Sequence, residues 1–316
     1  MDSVSKQGKP AISVVILTYK RQDELLRTLR SVYDQTSVEM EIVVVNNNPD
    51  DTGLLLASEF PKVRYIDIGG NIGCEARNLG VAAARADIVV TLDNDVNMRG
   101  ADFAEKIIDF FERHETAGCV NFKVLKPDGS LSLRDWCHPR DYQFWSGHEF
   151  LTDHISEGAS AFRKSAFSEV DGYYAPFFIG HEGPDLCLRL MKLGYGIWFT
   201  PTVKVVHHAS TDARPSWRPY YYNTRNNIWL AYRHYPWLKL VKYCFLYTSM
   251  SLFYALKNMY LISFLRGVYH GIFKANKHIR SPLNKTQLSK LKKINWYKPS
   301  ISNKIMKHFF SNQNYR

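Results

Sequence analysis

Residues 88–95, with the sequence IVVTLDND, decide the fold. The first five are apolar or β-branched, which is typical of a strand that is buried on both faces. Two carboxylates and an amide follow at once in Asp93-Asn94-Asp95. In open α/β sheets, ligands bind outside the carboxyl ends of the strands. The stretch therefore predicts a central strand that delivers acidic side chains to a binding edge.

Three similar runs precede this strand, at residues 12–17, 41–45 and 63–68, and segments with helical periodicity separate them. The resulting βαβαβαβ order predicts an α/β fold. We expect a mostly parallel, Rossmann-like central sheet, flanked by helices and joined by right-handed crossovers. The carboxyl ends of the four strands then lie at one edge of the sheet. Polar residues just beyond those ends become candidates for ligand binding.

Polar side chains do follow three of these strands. They are Thr18 and Tyr19 after the first strand, Asn46 and Asn47 after the second, and Asp93 after the fourth. Hydroxyl, amide and carboxylate groups together suit a nucleobase, a ribose and phosphates, although each could simply cap the helix that follows it. Arg77 lies in the small-residue helix after the third strand, where it could pair with a phosphate or with Asp93.

Asp93 and Asp95 can share the work at this edge: one carboxylate reaches ribose hydroxyls and the other a hard divalent cation such as Mg²⁺ or Mn²⁺. Such a cation bridges the phosphates of a nucleotide diphosphate and stabilises it as a leaving group. His207-His208 follows the last predicted strand, and a neutral imidazole there could complete the coordination. Because adjacent side chains of an extended segment point in opposite directions, we expect one ligand at most from this pair. The alternative for residues 93–95 is an ordinary Asx-rich loop.

Glu182 and Asp185 flank the predicted start of a helix, at Pro184. A carboxylate beside the positive end of a helix dipole is held in place, and the preceding Phe177-Phe178 would exclude water. One such carboxylate, set against an acceptor hydroxyl, can act as a general base. The alternatives are that Asp185 forms an i,i+4 ion pair with Arg189, and that Glu182 only caps the helix.

Charge is distributed unevenly along the chain. Beyond Asp212 there are 19 of the 41 Lys and Arg residues, half of the aromatic residues, and no Asp or Glu. A basic aromatic segment of this kind predicts a helical extension that lies on an anionic membrane. Its longest uncharged run, residues 243–256, is shorter than the roughly 20 residues that span a bilayer. One alternative is that the segment is an ordinary solvated basic face. Another is that it binds nucleic acid. Because the segment carries no recognised nucleic-acid motif, we expect no nucleic-acid partner.

Domain bounds and location follow from the same patterns. We predict a tail at 1–10, an α/β domain at 11–215 and the basic aromatic helical extension at 216–316, poorly ordered beyond Ser281. The α/β domain divides into a donor half, about 11–122, and an acceptor half, about 123–215. Five scattered cysteines without a CxxC pair, and a start without an apolar segment, predict a cytoplasmic protein, peripheral at the inner face of the plasma membrane.

In their order, these motifs resemble family 2 of the inverting glycosyltransferases, which has the GT-A fold, and in particular its rhamnosyltransferase-like branch. The likeness covers about residues 11–235. The matching segments are VVILTY at 14–19, EIVVVNNN at 41–48, GNIG at 70–73 with Arg77-Asn78, LDND at 92–95, Gly158-Ala159, DGY at 171–173 with Phe177-Phe178, EGPDLCLRL at 182–190, His207, and YNTRN at 222–226.

The resemblance implies a metal-dependent enzyme that moves a hexosyl or deoxyhexosyl unit from a UDP- or dTDP-linked sugar. The implied acceptor is a glycan or a polyprenyl-linked glycan in the synthesis of cell-surface or cell-wall polysaccharide. The implied cofactor is Mn²⁺ or Mg²⁺, held in the DXD motif by Asp95 with help from His207. The implied nucleotide pocket consists of Thr18, Asn46 or Asn47, Arg77 and Asp93, with Tyr19 beside it.

Two positions depart from the family pattern. Asn46 stands where the family usually has an Asp that binds the base. Gly183 stands where the family has the Asp credited as catalytic base, so we assign the base to Glu182, with Asp185 as the second candidate. The alternative function is a catalytically inactive scaffold that binds a nucleotide or a sugar in an assembly complex.

Overall fold

The structure, a computed structural model, describes residues 8–35, 38–209 and 215–297; part of the predicted tail and part of the predicted extension, residues 1–7 and 298–316, lie outside it. The strands are β1 (Ile12–Thr18), β2 (Met40–Asn46), β3 (Arg64–Asp67), β4 (Ile88–Asp93), β5 (Val96–Arg99), β6 (Ala117–Leu125), β7 (Phe150–Leu151), β8 (Ala159–Arg163) and β9 (Gly196–His207). The α-helices are α1 (Gln22–Tyr33), α2 (Thr52–Glu59), α3 (Glu75–Ala83), α4 (Phe103–Arg113), α5 (Tyr142–Trp145), α6 (Lys164–Glu169), α7 (Glu182–Lys192), α8 (Arg218–His234), α9 (Trp237–Lys257), α10 (Leu261–Phe273) and α11 (Lys285–Ile294). Short 3₁₀ helices lie at Ala175–Phe177, Ala275–Lys277 and Asn295–Tyr297.

One central sheet, flanked by helices, organises the chain, which confirms the predicted α/β class. Its strand order is β3-β2-β1-β4-β8-β6-β9-β5, with β7 also paired to β9. The first four strands are parallel, as expected. Beyond them the sheet is mixed, because β8 runs antiparallel to both β4 and β6. The expected parallel arrangement therefore holds for β1 to β4. An apolar run shows that a strand is buried but not its direction.

Two hydrophobic layers cover the faces of this sheet. Val14 and Val15 of β1 belong to opposite layers, as alternation along a central strand requires. Leu25 and Leu29 of α1 and Phe110 of α4 are fully buried in the first layer. Helices α3, α7 and α8 contribute to the second layer. Burial on both faces explains why the strands read as continuous apolar runs.

The strand register gathers the polar residues at one edge. Thr18 lies opposite Asn46 across the β1–β2 pair, and Leu17 lies opposite Asp93 across the β1–β4 pair. The three strands thus end at nearly the same level. Residues that follow them in the chain are brought together there, as the sequence predicts.

The C-terminal helices differ in how they pack. Helix α8 shares the hydrophobic layer of α7 through Trp229 and Leu230. A Cβ placed on Gly267 of α10 would lie 2.7 Å from the backbone oxygen of Tyr221 in α8, so these two helices approach closely. Helix α9, all of whose residues are described, buries one residue fully, Ala255. Within the described part of the chain, every helix falls short of the length and apolarity that a bilayer span demands.

The expected poor order beyond Ser281 is wrong for the residues described there. Asn284 accepts a hydrogen bond from the backbone N–H of Gln287, and the side chain of Gln287 in turn accepts one from the backbone N–H of Asn284. This capping box begins α11, and Leu291 and Ile294 bury its apolar side. Local capping and two buried side chains outweigh the Lys-rich composition of the segment.

Candidate active site

A cavity of about 890 Å³ opens where β1, β2 and β4 end. Of the residues proposed from the sequence, those that line it are Tyr19, Asn47, Arg77, Asp93 and Glu182. Further basic and acidic groups on its wall are Arg21, Arg134, Arg218 and Glu157. Aromatic side chains contribute as well, since Phe178 stacks on Tyr222 with the ring centroids 5.3 Å apart. The cavity therefore combines cationic, acidic and aromatic walls.

Arg77 and Asp93 form an ion pair inside this cavity. Pairing with Asp93 is one of the two alternatives that the sequence left open for Arg77. Asp93 also needs the glycine opposite it, because a Cβ on Gly158 would lie 2.3 Å from the carboxyl carbon of Asp93. Gly158-Ala159 thus gives the carboxylate room at the end of β4.

Thr18 and Asn94 hold the loop after β1. The side-chain amide of Asn94 donates to Thr18 Oγ1 at 3.1 Å and to the backbone oxygen of Lys20 at 2.9 Å. Lys20 and Arg21 both have positive φ, near 60°, a conformation that residues other than glycine rarely adopt. The buried amide of Asn94 therefore stabilises the bend that brings Arg21 back toward the sheet edge.

The two asparagines after β2 have different surroundings. Asn46 is fully buried, and its amide nitrogen donates to Asp50 at 2.8 Å and to the hydroxyl of Tyr65 at 3.0 Å. Asn47 lines the cavity, and its side-chain oxygen accepts from the backbone of Ile72 at 2.9 Å. Of the pair, Asn47 is the one exposed to a ligand in the cavity.

Asp95 lies just behind the cavity wall, 1% exposed, between a guanidinium and an imidazole. Arg21 Nη1 donates to Asp95 Oδ2 at 2.7 Å, and His207 Nε2 lies 3.6 Å from Asp95 Oδ1. Burial raises the pKa of Asp95, but His207 and Arg21 outweigh it and lower the pKa to about 2. The opposite ring nitrogen of His207 lies 2.9 Å from Asp135 Oδ2. Burial lowers the pKa of His207, whereas Asp135 and Asp95 raise it to about 9.

These residues fit a divalent cation in part. Two ligand atoms at the usual distance from one cation lie about 3 to 3.5 Å apart, close to the 3.6 Å between Asp95 Oδ1 and His207 Nε2. Asp135 would fix the ring, as second carboxylates do for histidine ligands. The described residues contain no group of three or more His, Cys, Asp or Glu that could hold a metal ion. A cation here would need its remaining ligands from water or from a bound phosphate.

Glu182 has a neighbour that sequence reasoning missed. Glu157, just before β8, lines the same cavity, and its Oε1 accepts a hydrogen bond from the backbone N–H of Gly183 at 2.9 Å. Burial raises the pKa of Glu182. Burial and then the charge of Glu182 raise the pKa of Glu157 to about 8. The negative charge of Glu182 disfavours ionisation of Glu157, so Glu157 holds its proton more tightly than an isolated glutamate does.

Asp185 is held in a different environment. It is fully buried, and its carboxylate bonds to Arg189 at 2.7 Å, to Arg233 at 2.8 Å and to His234 at 2.7 Å. Burial opposes its charge, but His234, Arg189 and Arg233 together hold the pKa of Asp185 well below its usual range. Its contacts extend the predicted i,i+4 pair with Arg189 into a buried network.

The loop before α7 is shaped by left-handed residues and held from α8. Phe178 and His181 have φ of 64° and 69°. Asn226 donates from its amide to the backbone oxygens of residues 177, 179 and 180, at 2.9, 2.9 and 2.6 Å. Arg225 donates to the backbone oxygens of residues 176 and 177. The sequence signal for this role is the YNTRN segment, whose asparagine and arginine fix the loop that carries Glu182.

The family model for Glycosyl transferase family 2 matches residues 13–171, half of the chain. The chain belongs to this family. The match covers β1 to β8 and so includes Arg77, Asp93 and Asp95, the residues whose spacing suggested it. Glycosyl transfer is accordingly the activity of the protein.

Several relatives support the same assignment. The N-acetylglucosaminyl-diphospho-decaprenol L-rhamnosyltransferase of Mycobacterium tuberculosis is 26% identical over 264 residues, which cover 72% of this chain and 86% of the relative. The succinoglycan biosynthesis protein ExoO of Rhizobium meliloti is 33% identical over 40% of this chain and 36% of its own. The amylovoran biosynthesis glycosyltransferase AmsB of Erwinia amylovora is 22% identical over 58% of this chain and 65% of its own.

Two solved structures share the fold of this chain. The crystal structure of GalNAc-T7 with UDP, GalNAc and Mn²⁺ superposes with a TM-score of 0.58 at 14% identity, over 96% of this chain and 59% of that one. S. aureus TarS superposes with a TM-score of 0.53 at 15% identity, over 70% of this chain and 39% of that one. The predicted GT-A architecture is thereby confirmed.

Proposed function

We propose that this protein transfers a hexosyl or deoxyhexosyl unit, with inversion, from a UDP- or dTDP-linked sugar to a lipid-linked glycan in polysaccharide synthesis. The observation that carries the proposal is the cavity at the sheet edge, where arginines and carboxylates line one space. The rhamnosyltransferase relative, whose name specifies a diphospho-decaprenol acceptor, supports a lipid-linked acceptor here. The relatives in succinoglycan and amylovoran biosynthesis support the polysaccharide context.

The donor would occupy the part of the cavity formed by the ends of β1, β2 and β4. Tyr19 and Asn47 line that part and can receive the base, while Asp93 can accept hydrogen bonds from the ribose. Arg21, Arg77, Arg134 and Arg218 also line the cavity, and guanidinium groups bind phosphate oxygens through paired N–H donors. A diphosphate bound among them would release Arg77 from its pairing with Asp93.

We assign the metal, Mn²⁺ or Mg²⁺, to Asp95 and His207. Mg²⁺ is commonly held by one or two protein groups together with the phosphates of a substrate, so a two-residue site with a diphosphate beside it is sufficient. A bound cation would neutralise charge that develops on the departing diphosphate. His207 must lose its proton to act as a ligand, and its contact with Asp135 keeps the ring oriented when it does.

The general base is assigned to the acidic pair of Glu182, which the sequence suggested, and Glu157. Both line the cavity, and burial raises the pKa of both toward the range useful for proton transfer. Asp185, the second candidate, is surrounded by Arg189, Arg233 and His234 and has no exposed surface. The two arginines and the hydrogen bond to His234 stabilise the charge of Asp185 and reduce its proton affinity.

We also propose that helices α9 and α10 rest on an anionic membrane, at the cytoplasmic leaflet where the acceptor would be anchored. Their strongly exposed apolar side chains include Trp237, Leu238, Phe245, Ile262 and Phe273. Their basic residues are Lys239, Lys242, Lys257, Arg266 and, just after α10, Lys274, with no acidic residue beyond Asp212. Apolar side chains beside cationic ones suit the interface of an anionic bilayer.

The test of the enzymatic proposal is a thermal-shift panel followed by turnover. Nucleoside diphosphates and nucleotide sugars are compared with and without Mn²⁺ or Mg²⁺, because a ligand at a hundred times its Kd stabilises the native state by about 2.7 kcal/mol. We expect a cation-dependent shift with uridine or thymidine nucleotides, and release of the diphosphate when a polyprenyl-linked glycan is added. Folded protein that responds to no nucleotide would contradict the proposal, and nucleotide binding without transfer to any acceptor would favour the scaffold.

A further inference from the structure

Glu157 lies outside helix α7, just before β8, yet its carboxylate is hydrogen-bonded to the first turn of that helix. The backbone N–H of Gly183 donates to Glu157 Oε1 at 2.9 Å. This bond fixes one carboxylate oxygen at the first turn of α7, where the helix dipole favours negative charge. Helix α7 thus orients the Glu157 side chain, and Gly183 of this helix stands at the position where the family has its catalytic Asp.

The same carboxylate occupies the space beside Gly183. A Cβ placed on Gly183 would lie 2.3 Å from Glu157 Oε1 and 2.5 Å from the backbone oxygen of Ile155. A side chain at position 183 would therefore displace the carboxylate of Glu157 and collide with the backbone oxygen of Ile155. Residue 183 is a glycine and so supplies no carboxylate. The carboxylate of Glu157 lies in the space that a side chain at position 183 would occupy.

Glu157 is also more open to the cavity than Glu182. Glu182 is 6% exposed, and its Oε2 is enclosed without a hydrogen-bond partner among the described residues. Glu157 is half-buried by the same measure and lines the cavity. A base must approach the proton it removes to within hydrogen-bond distance, which favours the more accessible carboxylate.

We propose that Glu157 is the carboxylate that accepts the proton of the acceptor hydroxyl, with Glu182 as its acidic neighbour in the cavity. This inference rests on the proposed transferase function. It moves the catalytic role from the residue that the sequence indicates to one that the fold brings alongside it.

The proposed step balances as a single displacement. The acceptor O–H bond breaks as its proton passes to Glu157, and the acceptor oxygen forms a bond to the anomeric carbon. The bond from that carbon to the diphosphate oxygen breaks, and its electron pair leaves with the diphosphate. Substitution from the opposite face inverts the configuration at the anomeric carbon.

Three single variants of the full chain test the assignment: Glu157→Gln, Glu182→Gln and, as a matched control, Glu75→Gln on the exposed surface of α3. In Glu157→Gln the new amide keeps an oxygen that can accept from Gly183, but it cannot take a proton. We expect Glu157→Gln to lower kcat by about 10²- to 10⁴-fold, the usual range for a general base. Glu182→Gln should lower kcat at least about tenfold less than Glu157→Gln does, and Glu75→Gln should match the wild type. The Kd for the nucleoside diphosphate with Mn²⁺ should stay within about threefold in all three variants.

Each other result overturns the inference. Near-normal turnover by Glu157→Gln, or an inactive Glu182→Gln beside an active Glu157→Gln, returns the role to Glu182. Loss of nucleotide binding together with turnover in Glu157→Gln places Glu157 in the donor site. A wild type that binds nucleotide but transfers no sugar refutes the proposed function itself, whereas an active wild type with an equally active Glu157→Gln refutes only the role of Glu157.

The pH profile of the wild type supplies a readout that needs no variant. The base acts when it is deprotonated, so kcat should rise with pH through the raised pKa of Glu157, about 8. Glu182→Gln removes a like charge and should move this rise to lower pH. A rise complete below about pH 6 in the wild type would contradict the assignment. The titratable and charged groups that act on Glu157 or feel its charge are Glu182, Arg77, Asp93, Cys74, Tyr173 and Cys119.

Discussion

Arg233 Nε donates to Asp185 Oδ1 across 2.8 Å, and this ion pair joins the first turn of α7 to the last turn of α8. His234 contacts the same carboxylate oxygen at 2.7 Å. The residues between α7 and α8 along the chain include the whole of β9. The first helix of the extension is therefore bound to the catalytic domain by a buried charge network as well as by apolar packing.

Asp185→Asn should consequently destabilise the protein more than it slows catalysis. Breaking a buried ion pair from one side leaves uncompensated charge and costs about 3–5 kcal/mol in other proteins. We expect a loss of about 3 kcal/mol in the free energy of unfolding by urea, with kcat per folded molecule within a few-fold of the wild type. Asp109→Asn, which breaks an exposed i,i+4 pair with Arg113, is the control and should cost less than about 1 kcal/mol.

The pH dependence of that stability has a defined sign. Because the pKa of Asp185 is lower in the folded protein than its ordinary value of 3.8, its contribution is present above that value and is lost as the pH falls toward the folded pKa. The difference in stability between the wild type and Asp185→Asn should shrink on acidification below about pH 4. Inactive but fully stable Asp185→Asn would instead return this residue to the list of candidate bases.

Asp95→Asn should abolish the cation-dependent part of nucleotide binding. The substitution removes charge from one of the two groups proposed to hold the metal, while the amide can still accept from Arg21. In the thermal-shift assay with a nucleoside diphosphate, the increment in Tm that Mn²⁺ adds should disappear. Asp128→Asn, on an exposed turn, should keep the full increment. An undiminished Mn²⁺ increment in Asp95→Asn would place the cation elsewhere.

Asn226→Ala should lower kcat through the loop that it holds. The substitution removes the amide that donates to the backbone oxygens of Ile179 and Gly180, while the oxygen of Phe177 keeps its hydrogen bond from Arg225, in a loop with positive φ at residues 178 and 181. Unpaired buried groups cost about 1–3 kcal/mol each, so the loop should relax and the start of α7, whose Gly183 N–H holds the carboxylate of Glu157, should lose its position. We expect kcat to fall at least about tenfold with nucleotide affinity nearly unchanged.

Asn258→Ala is the matched control for that variant. Asn258 is exposed after α9, and its amide donates to the backbone oxygen of Tyr254 at 3.0 Å. Its loss should leave turnover unchanged. Full activity in Asn226→Ala would show that the hydrogen bonds around residues 177–180 do not position the site.

The strands β1 to β4 and the edge at which they meet were predictable from the sequence. β1, β2 and β4 are largely apolar runs that polar residues such as Asp93 follow directly, so pattern and position agree, whereas β3 is a short edge strand of mixed composition. The capping box of α11 was equally visible, in Asn284 and Gln287, although composition suggested disorder there. Local signals of this kind survive in the sequence because their partners lie within a few residues.

The remaining features depend on distant partners. Glu157 acquires its role from Gly183, 26 residues away, and Asp185 acquires its charge partners 48 and 49 residues further on. Arg21 forms an ion pair with Asp95, 74 residues further along the chain, because the positive φ of Lys20 and Arg21 turns the loop after β1. No periodicity records such encounters. Such contacts form only when the sheet brings distant loops together. The sequence could therefore indicate Glu182 at the start of α7 but not Glu157 beside it.

Membrane binding should depend on the apolar side chains of α9 and α10. Phe245→Glu and Ile262→Glu each place a carboxylate on a side chain that is about three-quarters exposed, at 75% and 76%, so neither should disturb the fold. On anionic vesicles at moderate salt, the wild type should sediment with the lipid. Each variant should sediment less, because burying a charge in the interface is unfavourable and the apolar contact is lost.

Leu54→Glu on α2 is the control, since Leu54 is 77% exposed and lies far along the chain from the extension. It should bind vesicles as the wild type does. At low and moderate salt, vesicles of neutral lipid should bind less protein than anionic ones, because the cationic residues then lack their counter-charge, and high salt should reduce this difference. Equal sedimentation of all three variants, or wild-type protein that stays in the supernatant, would contradict membrane docking. If the wild type instead formed a concentration-dependent dimer that Phe245→Glu and Ile262→Glu dissociate, the exposed side chains of α9 and α10 would bind a second copy of the chain.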